Sequence, residues 1–183
     1  MGRERQASRR TTLNINVRLE TPGDYEAIRR VHDLAFGRSY EAQVADRLRA
    51  SAAYVPELSL VAELDGEIVG HVILSEAKIE GGSHSWPALV LGPIGVLPAL
   101  QRQGIGSRLV NCGLERAAAM GYGAVILIGH PTYYPRFGFV PASRYGLKTA
   151  YNVADEVFMA RLLRADGLTG ITGTVIFPDA FDE

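Results

Sequence analysis

From residue 15 the chain alternates apolar Ile15, Val17 and Leu19 with polar Asn16, Arg18 and Glu20, the period of a half-buried strand. Thr21-Pro22-Gly23-Asp24 follows. A hydroxyl able to cap, a proline suited to a first turn and an acid at the positive end of a dipole together predict a helix start. Ala27, Val31 and Leu34 read as its buried stripe and Gly37 as its end. A second short helix is expected from about Glu41 to Ala50, with Val44 and Leu48 facing inward.

A hairpin comes next. Leu58, Leu60, Ala62 and Leu64 alternate with Ser59, Val61 and Glu63, and Asp65-Gly66 is a two-residue turn signal. The return strand runs from Glu67 to Glu76. With Leu64 opposite Glu67, counting back places Leu60 opposite His71, on one face with Ala62, Val69 and Ile73. Gly81-Gly82-Ser83 reads as a loop.

Ala88 to Leu97 is nearly all apolar, as a central strand buried on both faces would be. Gly92-Pro93 interrupts it, and a proline without an N–H for the ladder implies a bulge or a parting of strands. A helix is expected from Gly104 to Gly121, with Ile105, Leu109, Gly113, Ala117 and Met120 inside and Arg108, Asn111 and Glu115 outside. Ala124 to Gly129 is another apolar strand, so strand, helix and strand form a right-handed parallel unit. Val157 to Leu163 and Ile171 to Phe177 read as further strands. The pattern is α/β with a mixed sheet.

Composition narrows this picture. At 183 residues and 47% hydrophobic content the chain is long enough for one packed domain, expected over residues 13–183. Residues 1–12 are polar, carry Arg3, Arg5, Arg9 and Arg10, and read as a disordered arm. Ser8-Arg9-Arg10 loosely matches a twin-arginine export signal, but the alternating segment after it is no apolar leader. A cytoplasmic protein is therefore expected. Nineteen Lys and Arg against 20 Asp and Glu give no general attraction to nucleic acid or to an anionic membrane. The single Cys112 excludes an internal disulfide and a Cys-rich zinc site, and no metal is expected.

The chemistry lies in Leu97-Pro98-Ala99-Leu100-Gln101-Arg102-Gln103-Gly104-Ile105-Gly106-Ser107, which joins a buried strand to a helix start. Two glycines let the backbone approach a ligand closely. Successive N–H groups and the helix dipole make an anion site, to which Arg102 and Ser107 add donors. The plain alternative is a tight connection with packing glycines. A nucleoside-triphosphate loop lacks its Gly-Lys-Ser/Thr here. A dinucleotide fingerprint lacks both a third small residue, since Leu109 stands there, and a later acid.

Gln101-x-x-Gly104-x-Gly106 after Val96-x-Pro98 resembles the acetyl-CoA signature of the GNAT N-acetyltransferases. Tyr133-Tyr134-Pro135-Arg136-Phe137-Gly138-Phe139, preceded by Gly129-x-Pro131, is similar to that family's second signature in the form of its small YhbS-like bacterial branch. Gly173 to Phe177 and Phe181 fit that branch too, so the likeness spans about residues 14 to 181.

The resemblance implies a GNAT-like fold of α/β (α+β) type. Its mixed, mostly antiparallel central sheet would contain a splayed parallel strand pair and be flanked by helices. It implies acetyl-CoA as co-substrate, its pantetheine paired with the backbone of Ile94 and Val96. The pyrophosphate would lie on Gln101, Arg102, Gln103, Gly104, Ile105, Gly106 and Ser107, and Gly129 and His130 would border the thioester. The activity implied is transfer of acetyl to a primary amine, on a small molecule or a peptide, by direct attack through a tetrahedral intermediate. Tyr134 matches the family's general acid; read without the family, it packs beside Phe137 and Phe139. A phenol with pKa near 10 is protonated at pH 7 and suits donation to a leaving thiolate.

No carboxylate or histidine lies on Ala88 to Leu97, where such enzymes often carry a base. Glu63, His71, Glu76, His84 and His130 are the candidates, with His71 read as a core histidine; water, or an amine arriving neutral, would also serve. Asp33, Arg38, Tyr40 and Glu41 are candidates to line the acceptor side. The competing reading is a non-catalytic acyl-CoA-binding or regulatory module that would not depend on Tyr134. Exposed strand edges leave a homodimer open.

Overall fold

The computed structural model describes residues 14–182; the expectation of a disordered arm at residues 1–12 lies outside the described residues. Three helices, α1 (Tyr25–Phe36), α2 (Tyr40–Arg49) and α3 (Ile105–Ala119), flank a nine-stranded sheet. Its strands are β1 (Ile15–Leu19), β2 (Tyr54–Leu64), β3 (Glu67–Gly81), β4 (His84–Val96), β5 (Ala124–Ile128), β6 (Val140–Pro141), β7 (Leu147–Thr149), β8 (Phe158–Leu162) and β9 (Gly173–Ile176). The main order is β1-β2-β3-β4-β5-β8-β6, with β9 between β3 and β7. Every pairing is antiparallel except β4–β5 and β7–β9. The mixed, mostly antiparallel sheet expected from the sequence is the one observed.

One face of the sheet, carrying Leu60, Ala62, Val72, Leu74, Leu89 and Val125, packs on Ile105, Leu109, Leu114 and Ala117 of α3. Met120, expected on that inner stripe, is 43% exposed because α3 ends at Ala119. On the other face Val44 and Leu48 of α2 pack with Ile73 and Ala180.

Two expectations need correction on that second face. The buried stripe of α1 is Ile28, Val31 and His32, and Leu34 is 49% exposed. Hydrophobic pattern counts His32 as polar, whereas a partner on β3 lets it be buried. Asp65 and Gly66 both have positive φ (51° and 85°), as a type I′ turn requires, and Leu64 does lie opposite Glu67. A register shift one residue later pairs Ala62 with Gly70, so Val61, not Leu60, lies opposite His71. A one-residue slip changes the face, and His71 therefore points toward α1 instead of α3. Thr21 stands at the N-cap of the 3-10 turn Pro22–Asp24 that leads into α1, in a capping box with Asp24, whose carboxylate accepts the Thr21 N–H (2.8 Å) and hydroxyl (2.9 Å).

Candidate active site

β4 and β5 pair only at Leu89–Val125 and Val90–Ile126. Beyond these residues they part. The β3–β4 register shifts so that Val72 faces Ile94 while Leu74 faces Leu91. The extra β4 residue falls at Gly92-Pro93, where Gly92 adopts φ 144° and proline offers no N–H. This is the parting expected at that dipeptide. Two cavities open in the gap, of about 780 and 520 Å³, and they share Phe36, Ile94, His130 and Tyr134 as a common wall.

The larger cavity runs from Ile94 and Val96 along Gln101, Arg102, Gly104, Gly106 and Ser107 to Tyr133 and Tyr134. Its outer end is the turn into α3. Arg102 and Gly104 both have positive φ (61° and 87°), and no side chain caps the helix. The first N–H groups of α3 have no partner within the helix, so with the dipole they form a place for an anion. Gly106 carries no side chain where a Cβ would come within 2.9 Å of the Tyr133 hydroxyl.

Not every motif side chain points into the groove. Gln101 donates to the Val96 carbonyl (3.1 Å) and Gln103 to that of Ala99 (3.2 Å). The Ile105 side chain is buried in the core and only its backbone is available to a ligand. Arg136, quoted in the second motif but given no role there, lies on the groove and stacks over Tyr133 with 4.6 Å to the ring centre. Its place three residues beyond Tyr133 in a turn was the signal.

Tyr134 opens the 3-10 turn Tyr134–Phe137 and its ring packs among Tyr133, Phe137 and Phe139. Packing and an open wall are thus both true of it. Gly129 makes room, since a Cβ there would lie 2.4 Å from Cε2 of Tyr134. Burial, and next the neighbouring Tyr133, push the Tyr134 phenol well above its ordinary range, so it stays protonated at neutral pH.

Of the base candidates, only His130 lies on the cleft. Glu63 pairs with Arg18 (2.9 Å), Glu76 accepts from Tyr122 (2.8 Å), and His84 stacks on Trp86 beside the β3–β4 turn. His71 belongs to a closed network behind β4. The Glu20 carboxylate, its side chain 1% exposed, accepts from Arg49 (2.8 and 2.9 Å), Tyr54 (2.7 Å) and His71 Nε2 (3.1 Å). Ser59 Oγ lies 3.1 Å from the same His71 nitrogen, and His71 Nδ1 meets His32 Nε2 at 2.9 Å. Burial would raise the Glu20 carboxyl, but the hydrogen bonds from Arg49 and His71 outweigh it and hold it well below the usual range. Burial pushes His71 down despite Glu20, and pushes His32 down to about 2, with the charges of His71 and Arg49 adding to the effect. Both histidines are neutral.

The smaller cavity is lined by Arg38, Tyr40 and Glu41, three of the four residues named as acceptor-side candidates, whereas Asp33 lies on neither cavity. Among the described residues no group of three or more His, Cys, Asp or Glu is placed to hold a metal, and no helix is long and apolar enough to cross a membrane.

A sheet whose one central parallel pair comes apart beside an uncapped helix start is the architecture of the GNAT acetyltransferases. Residues 16–142 match that family's acetyltransferase (GNAT) domain, and the chain belongs to the family. Among its relatives is the uncharacterized N-acetyltransferase YjhQ of Escherichia coli strain K12, 34% identical over 90% of this chain and 93% of that protein. The structure of E. coli YhbS in complex with CoA superposes with a TM-score of 0.85 at 30% identity, covering 93% of each chain. A GNAT acetyltransferase from Brucella melitensis in complex with acetyl-CoA gives 0.74 at 34% identity, over 92% of this chain and 98% of that one.

Proposed function

We propose that this chain is an acetyl-CoA-dependent N-acetyltransferase that acetylates a primary amine by direct attack. The observation that carries the reading is one continuous cleft with free helix amides at one end and the neutral Tyr134 phenol at the other. The complexes of the Brucella and E. coli relatives with acetyl-CoA and CoA support the same use of it.

The pyrophosphate binds the N–H groups from Gln101 to Ser107, with Arg102 and Arg136 alongside. The pantetheine lies against Ile94 and Val96 as an added strand. Gln101 already takes one lone pair of the Val96 carbonyl, and a carbonyl oxygen has a second. Gly129 and His130 flank the thioester. The amine nitrogen attacks the thioester carbon, the resulting oxyanion collapses, and the C–S bond breaks. Tyr134 protonates the departing sulfur, and the proton lost from nitrogen balances it, leaving an amide and free CoA thiol. When the amine arrives as ammonium it first loses one further proton, and His130, the base candidate on the cleft, takes it before attack. The cytoplasmic setting expected from the sequence is part of this reading.

The test is release of free thiol from acetyl-CoA against a panel of amines, run beside a CoA-binding measurement. Amine-dependent release is expected. Tight CoA binding without turnover of any amine would instead establish the non-catalytic module.

A further inference from the structure

The smaller cavity says what kind of amine the enzyme takes. Resting on the acetyltransferase reading above, we propose that the acceptor is a primary amine carried on one apolar body of about aromatic size, its ammonium met by Glu41 on entry and its extra proton taken by His130 before attack. This cavity meets the larger one along Ile94, His130 and Tyr134, so a molecule seated in it faces the reacting end of the groove.

Its far wall is a chain of rings. Tyr151 meets Phe177 edge to face at 5.3 Å and 84°, and Phe177 meets Phe181 at 5.8 Å and 87°. The wall is fixed from behind, because the Tyr40 hydroxyl donates to the Phe181 carbonyl and the Tyr151 hydroxyl to Asp182 (3.0 Å). Such a surface is organised before a ligand arrives, which limits the ordering cost of binding.

The mouth is apolar as well. Phe36 (43%), Ile128 (37%), Tyr151 (36%) and Val153 (38%) are among the few large apolar side chains left exposed in the described residues, and all four line this cavity. Exposed apolar groups gathered at one opening mark a binding surface. A volume of about 520 Å³ suits a small molecule.

Charge sets the other half of the class. Glu41 is the sole carboxylate among the described residues lining the cavity, and its side chain is 10% exposed. Arg38 contacts Oε1 twice and Oε2 once, so Oε2 keeps capacity for another donor. Among the described residues of the lining, Glu41 is the one anion and Arg38 stands beside it. One ammonium finds an oxygen there. The second and third charges of a polyamine would find no further carboxylate among the described lining residues, only rings, aliphatic groups and uncharged polar groups, which is costly.

The experiment measures thiol release by the full chain with 2-phenylethylamine and with spermidine, and repeats it with Glu41→Gln and Phe181→Ala. The expected result is a kcat/KM for 2-phenylethylamine at least tenfold above that for spermidine. Loss of the charged hydrogen bond in Glu41→Gln should raise the amine KM about tenfold while the acetyl-CoA KM stays unchanged. Phe181→Ala, which leaves Glu41 and Arg38 in place, should also raise the amine KM. Preference for spermidine, or an unchanged amine KM in both variants, overturns the inference and leaves the acetyltransferase reading standing. No release with any amine, with CoA still bound, overturns the acetyltransferase reading itself.

Discussion

The two sides of strand β4 at Gly95 use buried polar groups in opposite ways. Behind the strand, Glu20, Arg49, Tyr54, Ser59, His71 and His32 are joined in one hydrogen-bonded network. In front, the Tyr134 ring is held by packing and the first amides of α3 by backbone geometry, and among the described residues no side chain caps that helix start. Glu20 accepts the proton of His71 Nε2, so His71 Nδ1 accepts from His32 Nε2, and His32 Nδ1 presents a lone pair toward Gly95 without a partner. Burial of a titratable group is thus common to both sides, since Tyr134 is buried too. What sets the cleft side apart is hydrogen-bonding capacity left unused on an open wall.

The comparison can be broken in order of expected effect. Tyr134→Phe should lower kcat by about 10²–10⁴-fold and leave CoA affinity intact; near-normal turnover would remove Tyr134 from the chemistry. Glu20→Ala strips the carboxylate from Arg49 and His71, and chemical denaturation should show a loss of about 3–5 kcal/mol. CoA affinity of the molecules that remain folded should not change, and a selective loss of binding would tie the two sides together.

Acid should weaken the closed side too. His32 and His71 have pKa values lowered from 6.5 by burial, so the unfolded chain binds more protons than the native one as pH falls below about 6.5. Stability is then lost by up to about 1.4 kcal/mol per pH unit for each histidine, and a flat urea midpoint between pH 7 and pH 5 would contradict this. Below about pH 4.5 the carboxylates Glu20 and Asp24, held below their ordinary values by hydrogen-bonded arginines, add their own losses. The smallest effect is expected from Gly95→Ala. Its Cβ would lie 2.9 Å from His32 Nδ1, a crowding worth about 1–3 kcal/mol of stability, measured by the same denaturation.

Local signals carried much of this structure. The interrupted strand at Gly92-Pro93, the helix start after Gly104 and the turn at Asp65-Gly66 follow from backbone chemistry that single residues declare, and all three stand where they were expected. What sequence hid was pairing at a distance. The register shift beside Val69 depends on the whole sheet, and it moved His71 to the other face. Nothing local signals that Glu20 and His32 are buried, because their common partner His71 lies 51 and 39 positions from them in the chain. The short strands β6 and β7, of two and three residues, carry too little pattern to read. The cleft was legible through its two motifs, whereas the smaller cavity beside it draws on α1, α2 and residues 151–181, which share no motif.

Arg102 has a consequence for anyone seeking a hardier version of this protein. It sits at φ 61°, a conformation that strains any residue with a Cβ by about 1–2 kcal/mol and that glycine adopts freely. Arg102→Gly is thus a natural candidate for raising the melting temperature. It would also take a positive charge from the mouth of the groove, so at this one position heat resistance and attraction for an incoming anion pull in opposite directions.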